Sequence, residues 1–525
     1  MKKVILSVII CLAIANVFAQ KKPNIIFLLS DDQTNIATGC YGNDQVVTPN
    51  MDQLAKEGVL FKNHYNTTAI CMASRAIIMT GMYEYKTGCN FDHGPLKKAK
   101  FEKSYPVLLR EQGYYTGFAG KFGFAVSDGS SENHDTWDVL PVNKFDNWAG
   151  GLGQTKYQTI HNKYIAKYAD QYPHSTKAYA AWAKDFITEA KQTGKPFSMS
   201  ISFKAPHLPF TPDKYFDYVY EGKDYKKPEN YGTENAEHLA PQARAGRQAQ
   251  RYPFWRNSEK SYQKTIKSYN QLIHGVDYAL GMIRKTLEEQ GLTENTIIIF
   301  TSDNGYSCGA HGFGGKVLPY EEASKSPLII YDPRTPTKER GIVREKVTAN
   351  IDLAPTILKY ASLKVPKNMD GEDLSVLIKN PKKFKRETIA LTNMWGNDEI
   401  QSMGIVSKDW KYIFWQYENG KMTPTEELFN IGKDRLEMNN KVADQSYEKQ
   451  LKKMRALYDI QLNMLKTEAT KDHFYQKYSV LFDRKSTAED KKPYLIGDYK
   501  TYMGKKIALI KQMKNAKKKK SKKKN

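Results

Sequence analysis

Short, unbroken runs of apolar residues recur along the first two thirds of the chain, and each ends abruptly in polar residues. Runs of this kind are typical of strands buried on both faces of a parallel sheet. Amphipathic segments lie between them, such as a helix predicted over residues 264–287 and closed by Gly291. This alternation predicts an α/β domain with a doubly wound, mostly parallel sheet sandwiched by helices. The predicted strands are residues 24–30, 197–203, 296–302 and 326–331.

The pattern changes after residue 385. An amphipathic run at 447–462 follows three short segments with strand character, at 388–391, 403–406 and 410–415. These segments predict a smaller C-terminal subdomain made of an antiparallel sheet and a helix. The predicted divisions of the chain are a signal peptide at 1–19, a main domain at 20–385, the C-terminal subdomain at 386–466, and an extension with a Lys-rich tail at 467–525.

Residues 220–262 interrupt the main domain with a segment rich in Lys, Arg, Gln and Tyr. We interpret this segment as a long surface insertion. Trp255 lies within it, and two interpretations of this residue are equally compatible with the sequence. The indole forms a platform for a sugar ring in the wall of a cleft, or it pins the loop to the body of the protein.

The N-terminus has the pattern of a secretory signal peptide. Two lysines precede an apolar run at residues 4–18, and small residues offer a cleavage site before Gln20. The run is shorter than the roughly 20 residues that a membrane-spanning helix needs. We therefore expect an exported protein, periplasmic or secreted in a bacterium, without a transmembrane anchor.

The chain carries a net charge of +23, from 80 basic and 57 acidic side chains. Much of the excess lies in residues 514–525, which either adhere to polyanions or form a solvated tail without a specific role. A basic body suits a polyanionic glycan. Nucleic acid is not expected as a partner, because the chain is exported and contains no recognised nucleic-acid module. The four cysteines beyond the leader are too few for a disulfide scaffold.

Oxygen donors follow two of the predicted strands at the point where each strand ends. Asp31 and Asp32 follow the first strand, and Asp303 and Asn304 follow the strand at 296–302. In open parallel sheets, sites form at the carboxyl ends of the strands. Oxygen ligands suit a hard cation, either Ca2+ or Mg2+, and clustered buried carboxylates repel one another without one. We predict one divalent site here, with Ca2+ as the favoured ion.

Cys71 precedes Met72-Ala73-Ser74-Arg75 and an apolar run that extends to residue 79. We interpret Cys71 as a nucleophile at the first turn of a helix, whose free N–H groups favour an anionic substrate. Arg75 lies one turn further on and can reach back to the nucleophile or to the anion. The alternative is a structural cysteine, since free cysteines are often buried.

Two motifs resemble those of a known family. Residues 69–75 resemble the nucleophile motif of the formylglycine-dependent (type I) sulfatases, in the alkaline phosphatase superfamily, and residues 113–122 resemble their second signature. Met72 and Ala73 depart from the commoner residues of the first motif. The resemblance implies that a separate enzyme, either formylglycine-generating or anaerobic sulfatase-maturing, oxidises Cys71 to formylglycine (3-oxoalanine). The aldehyde hydrate is then the nucleophile.

The resemblance also implies roles for the polar residues around the nucleophile. The family's metal ligands match Asp31, Asp32, Asp303 and Asn304, and the modified Cys71 completes the shell. Other residues bind the sulfate group or transfer protons. Charge on the sulfate is held by Lys121, Lys316 and Arg75, and the leaving oxygen is protonated by His207.

One position departs from the second signature in a way that affects the mechanism. Gly123 stands where the family has a histidine that helps to release sulfate. We expect another group to take this role. His311 is the first candidate, because flanking glycines let its loop approach the site, and His93 is the second.

The resemblance therefore predicts a sulfuric ester hydrolase that removes sulfate from a sulfated carbohydrate. One hydroxyl of the hydrate attacks sulfur, and the second expels sulfate and regenerates the aldehyde. Two alternatives stay open. One is a phosphonate monoester or phosphodiester hydrolase of the same superfamily, and the other is an inactive exported glycan-binding relative, which Gly123 motivates.

Overall fold

The computed structural model describes residues 22–129, 139–250, 252–419 and 421–497. The predicted signal peptide at 1–19 and the Lys-rich run at 514–525 lie outside these ranges. In the described part of the chain, no helix is long and apolar enough to cross a membrane.

The strands form one large sheet, one strand pair and one small sheet. The large sheet contains β1 (Asn24–Ser30), β2 (Val59–Phe61), β4 (Tyr115–Lys121), β5 (Asn147–Gly151), β6 (Phe197–Ser202), β7 (Thr296–Ser302), β8 (Leu328–Tyr331) and β9 (Ile342–Arg344). The pair consists of β3 (His64–Tyr65) and β10 (Thr348–Ala349), and the small sheet of β11 (Thr388–Asn393), β12 (Ser402–Ser407), β13 (Lys411–Trp415) and β14 (Thr425–Phe429).

The large sheet has the strand order β5-β4-β6-β1-β7-β8-β2-β9. From β5 to β7 every pairing is parallel, as the unbroken apolar runs predict. Strand β8 differs, because it runs antiparallel to both β7 and β2. The mostly parallel α/β sheet predicted from the sequence is thus confirmed, with one reversed strand that its apolar composition does not reveal.

The α-helices vary widely in length. In chain order they are α1 (Pro49–Glu57), α2 (Cys71–Thr80), α3 (Glu84–Thr87), α4 (Lys98–Phe101), α5 (Tyr105–Glu111), α6 (Ser175–Thr193), α7 (Asp217–Tyr220), α8 (Pro241–Ala245), α9 (Arg247–Gln250), α10 (Glu259–Glu289), α11 (Glu321–Ser324), α12 (Leu353–Tyr360), α13 (Leu374–Lys379), α14 (Glu448–Glu468), α15 (Tyr478–Leu481) and α16 (Ala488–Lys491). The helix predicted over 264–287 is α10, and Gly291 follows its end with φ +67°.

Helices cover both faces of the large sheet. Side chains alternate across a strand, so Ile25, Phe27 and Leu29 of β1 pack with α2, α5 and α12. Ile26 and Leu28 face the other way and pack with α1, α6 and α10. Burial on both faces explains why β1 reads as a continuous apolar run.

The small sheet is antiparallel throughout, in the order β11-β12-β13-β14, and α14 packs on it, as predicted. The large sheet ends at residue 344 and the small sheet begins at 388, so the predicted division near 385 falls between them. A buried ion network joins the two parts. Lys411 of β13 lies 2.8 Å from Glu321 and 2.8 Å from Glu437.

Residues 475–482 of the predicted extension pack back onto the body of the protein. Tyr475 donates a hydrogen bond to Glu84 Oε1 at 2.7 Å, and Tyr478 donates to the Met394 carbonyl at 2.8 Å. The cysteines form no disulfide within the described ranges. Free thiols are found at Cys40, Cys71, Cys89 and Cys308.

Candidate active site

The polar residues that follow β1 and β7 meet at one edge of the large sheet. The two strands pair in parallel with Ser30 opposite Ser302, so Asp31 and Asp303 continue side by side. The predicted ligands Asp31, Asp32, Asp303 and Asn304 are all buried, with at most 1% of their surface exposed. Asp32 adopts φ +68°, a left-handed conformation that is uncommon outside glycine and often marks a functional turn.

Helix α2 begins at Cys71, which is 1% exposed. The Cys71 thiol donates to Asp31 Oδ1 at 3.3 Å. The Lys316 ammonium lies 2.6 Å from Cys71 Sγ and also contacts Asp32. Burial, followed by the charge of Asp31, raises the pKa of the Cys71 thiol to about 12. The fold therefore brings a nucleophile candidate, an acidic pair and a cation into direct contact.

Two further cations complete this cluster. Lys121, the last residue of β4, donates to Asp31 Oδ2 at 2.5 Å. Arg75 lies one turn into α2, and its Nε donates to Asp303 Oδ2 at 2.8 Å while its Nη1 donates to the Lys121 carbonyl at 2.7 Å. Arg75 is therefore the group that ties the carboxyl ends of β4 and β7 to the nucleophile helix.

Burial and the nearby charges set the protonation of the acidic residues. Burial alone raises the pKa of Asp31, but Lys121 and the other neighbouring cations outweigh it and hold that pKa well below its usual range. Burial and the charge of Asp31 raise the pKa of Asp303 to about 6, despite the contact with Arg75. The pKa values of Asp31 and Asp303 thus differ, because the neighbouring cations stabilise the charge of Asp31 more strongly than that of Asp303.

His207 follows β6 and lies beside the carboxylates. Its Nδ1 bonds to the Leu208 carbonyl at 2.7 Å, and its Nε2 lies 3.7 Å from Asp32 Oδ2. Burial lowers the pKa of His207 to about 4, although Asp31 and Asp32 oppose this shift. With Nδ1 committed to a backbone carbonyl, Nε2 is the nitrogen that faces the site.

The residues fit a hard divalent cation. Ligand atoms of Asp31, Asp32, Cys71 and His207 lie within 4.8 Å of one another. The Asn304 amide donates to Asp32 Oδ1 at 2.7 Å, whereas its Oδ1 has no hydrogen-bond partner among the described residues although it is buried. A buried carbonyl oxygen without a partner is costly unless a ligand satisfies it. Its position next to carboxylates suits an ion such as Ca2+.

The two histidines proposed to replace the family's base lie in hydrogen-bond networks of their own. His311 Nδ1 lies 2.6 Å from the Asn235 carbonyl, and its Nε2 lies 3.0 Å from Asn230 Nδ2. His93 Nε2 lies 2.9 Å from the Tyr478 hydroxyl, which the C-terminal extension supplies. The role of His311 or His93 as the base stays a prediction. Either ring would have to give up one of these hydrogen bonds to take a proton from the intermediate.

The insertion at 220–262 is fixed by aromatic packing. Trp255 is 1% exposed, and its ring lies 5.8 Å from Phe210, 6.3 Å from Tyr269 and 6.0 Å from Tyr306. A fully buried indole presents no face to a sugar. The structure therefore favours the second interpretation of Trp255, in which it pins the loop to the body.

Two polar residues near the site were missed by sequence reasoning. The Tyr269 hydroxyl donates to the Asp32 carbonyl at 2.7 Å, but its position in the apolar stripe of α10 gives no signal of this contact. Lys204 is buried two residues after β6, donates to the Gln154 carbonyl at 3.1 Å, and has a pKa lowered to about 8 by burial. Its position just after a predicted strand could have identified Lys204 as a candidate site residue from the sequence.

The structure explains why Gly123 carries no side chain. Gly123 has φ +88°, and a Cβ added there would lie 2.5 Å from Cδ of Arg75. The Arg75 side chain thus occupies the space beside this backbone. The histidine of the resembling family cannot be accommodated here unless Arg75 moves.

We expect Gly123→Ala to lower both the melting temperature and kcat/KM more than Gly113→Ala does. Gly113 also has a left-handed backbone, with φ +87°, but nothing lies within 4 Å of an added Cβ. Its alanine variant therefore carries only the backbone strain of about 1–2 kcal/mol. Thermal unfolding and kinetics of the two variants provide the measurement. Equal losses would show that Arg75 does not depend on the space at Gly123.

Two family models and several curated relatives match the chain. The Sulfatase family model matches residues 23–363, and the model described as N-sulphoglucosamine sulphohydrolase, C-terminal, matches residues 309–464. The N-acetylglucosamine-6-O-sulfatase of Bacteroides thetaiotaomicron is 26% identical over 504 residues, which cover 84% of this chain and 86% of that protein.

Solved structures show the same fold. A structure in complex with its substrate D-glucosamine-2-N,6-O-disulfate matches with a TM-score of 0.70 and 25% identity, covering 86% of this chain and all of that one. The phosphonate monoester hydrolase of Agrobacterium radiobacter matches with a TM-score of 0.69 and 21% identity, covering 86% of this chain and 97% of that one. The second likeness concerns the fold alone.

The fold and the acidic, cation-rich site define a hydrolase of the alkaline phosphatase superfamily. The chain belongs to the sulfatase family, whose model covers more than half of it. The protein is a sulfuric ester hydrolase, as the motif around Cys71 predicted.

Proposed function

We propose that the protein removes sulfate from a sulfated carbohydrate, with formylglycine at position 71 and one Ca2+ beside it. The observation that carries this proposal is the contact of Lys316 with both Cys71 and Asp32. Cys71 is the first residue of the buried helix α2. The sugar component is inferred from the relatives, since one is named an N-acetylglucosamine-6-O-sulfatase and one structure holds a sulfated glucosamine.

The charges of the site support an anionic substrate. Three carboxylates, those of Asp31, Asp32 and Asp303, contact three cations, which are Lys121, Lys316 and Arg75. This balance leaves no excess negative charge to repel a sulfate ester. Asp31, Asp32, Asp303 and Asn304 would hold a divalent ion, which would supply positive charge to polarise the sulfate ester.

The side chains around position 71 act on the sulfate group and its leaving oxygen. Lys316 and Lys121 hold the sulfate oxygens, while Arg75 keeps Lys121 and Asp303 in place through its two hydrogen bonds. His207 Nε2 faces the carboxylates and is the group proposed to protonate the leaving oxygen, which requires that the bound substrate raise the His207 pKa from about 4 so that Nε2 carries a proton. Formylglycine, formed from Cys71 by a maturing enzyme, supplies a hydrated aldehyde as the nucleophile.

We further propose that the protein is exported by a bacterium. The proposal rests on the leader-like residues 1–19, with two lysines followed by an apolar run. Sulfated polysaccharides are too large to enter most cells, so an enzyme that degrades them gains access by export. Mass spectrometry of the mature N-terminus would test the predicted cleavage before Gln20.

A phosphonate or phosphodiester hydrolase is the second candidate function, favoured by the fold likeness to phosphonate monoester hydrolase. The two functions are separated by kinetics on matched esters of one aryl alcohol: the sulfate, the phosphate, the phosphonate monoester and the phosphodiester. We expect the sulfate to have the highest kcat/KM. A higher value for the phosphonate would reverse the assignment.

The third possibility is an inactive glycan-binding relative, and the geometry around Gly123 argues against it. Arg75 fills the space that a histidine would need, while Cys71, Lys121 and Lys316 remain in contact with the carboxylates. Mass spectrometry of the peptide that contains Cys71, after expression in a host with the maturing enzyme, decides between the two states. Conversion to the aldehyde supports an enzyme, and an unmodified thiol supports a binding protein.

If His311 assists the release of sulfate, His311→Ala should give a first burst of alcohol product and then stall with sulfate on the enzyme. Intact-mass measurement after mixing with substrate would detect this adduct. Asn235→Ala is the matched control, because it leaves the backbone carbonyl that His311 contacts. Loss of the burst, or normal turnover, would assign His311 to its hydrogen bonds with Asn230 and Asn235 instead.

A further inference from the structure

A polar pocket opens at the carboxyl end of β5, the edge strand that pairs with β4. It encloses about 310 Å³, at the lower end of the range of about 300–1,000 Å³ that is typical of small-ligand sites. Residues 149–156 and 161–164 line it, together with Tyr179 of α6. We call this cavity the β5 pocket. The mechanism proposed above assigns no role to it.

The side chains of the β5 pocket carry charge of one sign. Lys156, His161 and Lys163 line it and are exposed, whereas no Asp or Glu among the described residues belongs to its lining. The carboxylates of the surrounding segments lie outside the lining, and those of Asp146 and Asp185 are paired with Arg110 and Lys167 at 3.0 Å each. A cleft lined by charge of one sign concentrates ligands of the opposite sign, so this pocket favours an anion.

A buried cation lies behind the wall of the β5 pocket. Lys204 is 5% exposed, and its ammonium donates to the Gln154 carbonyl at 3.1 Å and to the Leu208 carbonyl at 3.4 Å. Both acceptors are neutral carbonyls rather than carboxylates. Burial lowers the pKa of Lys204 to about 8, which leaves the ammonium mostly charged at pH 7. Lys204 therefore adds to the positive potential at the wall that contains Gln154.

One side chain ties the two walls of the β5 pocket together. Asn162 Oδ1 accepts from the Lys156 amide at 3.1 Å, and Asn162 Nδ2 donates to the carbonyls of Lys156 at 2.8 Å and Gln158 at 2.9 Å. The Thr155 amide donates to the Leu152 carbonyl at 3.2 Å, which closes the loop after β5. A site that is fixed before binding loses little conformational entropy when a ligand enters it.

The β5 pocket begins one strand away from the ion cluster of the active site. In the pairing of β4 with β5, Gly151 lies opposite Lys121, whose ammonium donates to Asp31 at 2.5 Å. Neighbouring strands are about 4.8 Å apart. The Tyr157 hydroxyl, directly after the loop that lines the pocket, donates to the His207 carbonyl at 2.6 Å. An oligosaccharide bound in the active site can therefore reach the pocket with a neighbouring sugar residue.

We propose that the β5 pocket binds a second anionic group of the glycan whose sulfate ester is cleaved in the active site. The group is a sulfate or a carboxylate on a neighbouring sugar residue, and Lys156 and Lys163 hold it by charge-assisted hydrogen bonds. This inference rests on the proposed carbohydrate substrate. It makes the pocket a determinant of specificity, because a glycan with several anionic groups is held at two places and one with a single group is not.

The test measures the binding of three tetrasaccharides to the full-length Cys71→Ala protein by titration calorimetry. Heparin carries both anionic groups, κ-carrageenan carries only sulfate, and oligogalacturonate carries only carboxylate. We expect Lys156→Gln/Lys163→Gln to weaken the binding of at least one of them about tenfold, the loss typical of removing charged hydrogen bonds. A loss for κ-carrageenan but not for oligogalacturonate assigns sulfate to the pocket, and the reverse assigns carboxylate.

Two further variants separate a specific contact from the general attraction of a basic protein for anions. Lys156→Arg/Lys163→Arg keeps both charges and should bind like its parent. Lys285→Gln/Lys452→Gln removes the same charge from side chains that are 75% and 70% exposed and lie outside the lining of the pocket. It should leave the affinity within about twofold of the parent, because exposed charges are screened by salt.

In the active enzyme, Lys156→Gln/Lys163→Gln should raise KM for the sulfated chain that it cleaves far more than KM for an aryl sulfate, which has no second anionic group. The proposal is overturned if none of the three chains binds, if this variant binds them like its parent, or if Lys285→Gln/Lys452→Gln weakens binding as much. Cleavage of a sulfated monosaccharide tests the proposed function separately, because it has no second sugar residue to reach the pocket.

Discussion

Replacement of Cys71 by alanine is expected to lower kcat by at least about 10⁴-fold, the loss typical of removing a nucleophile. The fold should survive, because the change is small and the hydrogen bonds of the thiol to described residues are those with Asp31 and Lys316. Cys71→Ser should also be severely impaired, since serine cannot form a hydrate with a second hydroxyl to expel sulfate. Kinetics with an aryl sulfate and thermal unfolding provide the measurements.

Cys89 supplies the control for this experiment. Its thiol is equally buried, at 0% exposure, but it lies outside the cluster of carboxylates and cations. Cys89→Ala should therefore reduce stability without reducing kcat. Full multiple-turnover activity of Cys71→Ser would contradict the hydrate mechanism and reopen the search for the nucleophile.

Removal of the divalent ion is expected to abolish most of the activity and to lower the melting temperature. With free Ca2+ at about 100 times its Kd, binding adds about 2.7 kcal/mol to the free energy of unfolding. Exhaustive chelation followed by addition of Ca2+ or Mg2+ would show which ion restores both properties. If chelation changed neither activity nor melting temperature, the prediction of a metal site would be wrong.

The variant Asp303→Asn tests the same site through one ligand. It keeps the shape of the side chain but leaves the buried Arg75 guanidinium without the carboxylate at 2.8 Å, at a cost of about 3–5 kcal/mol. It should also remove the stabilisation by Ca2+. Asp459→Asn is the control, because Asp459 is 45% exposed, and its ion pair with Arg484 should contribute at most about 1 kcal/mol. A wild-type response of Asp303→Asn to Ca2+ would exclude Asp303 as a ligand.

The sequence alone predicted the layers of the fold and the main chemistry of the site. The apolar run of β1 and the two aspartates after it carry their signal locally, because a doubly buried strand must be apolar and must end where it meets solvent or a ligand. The motif from Cys71 to Arg75 is equally local. These features placed the nucleophile and the oxygen donors in one cluster before the structure was known.

Other features depend on residues that meet only when the chain folds. The direction of β8 is one of them, because apolar composition is the same for a parallel and an antiparallel buried strand. Gly123 is another, since the Arg75 side chain that fills its space comes from a different element. The same applies to His311, whose ring is bonded to residues from the insertion.

Local patterns determined which residues of this protein become strands, helices and candidate ligands. The reason is that burial requires consecutive apolar residues and that polar residues follow directly where a strand ends. Only the tertiary structure decided how the insertion is buried and what occupies the space beside Gly123. Trp255 and Tyr306 come from two separate segments, and no pattern along the chain encodes their contact. Packing between distant segments sets those distances, so they became visible only in the folded protein.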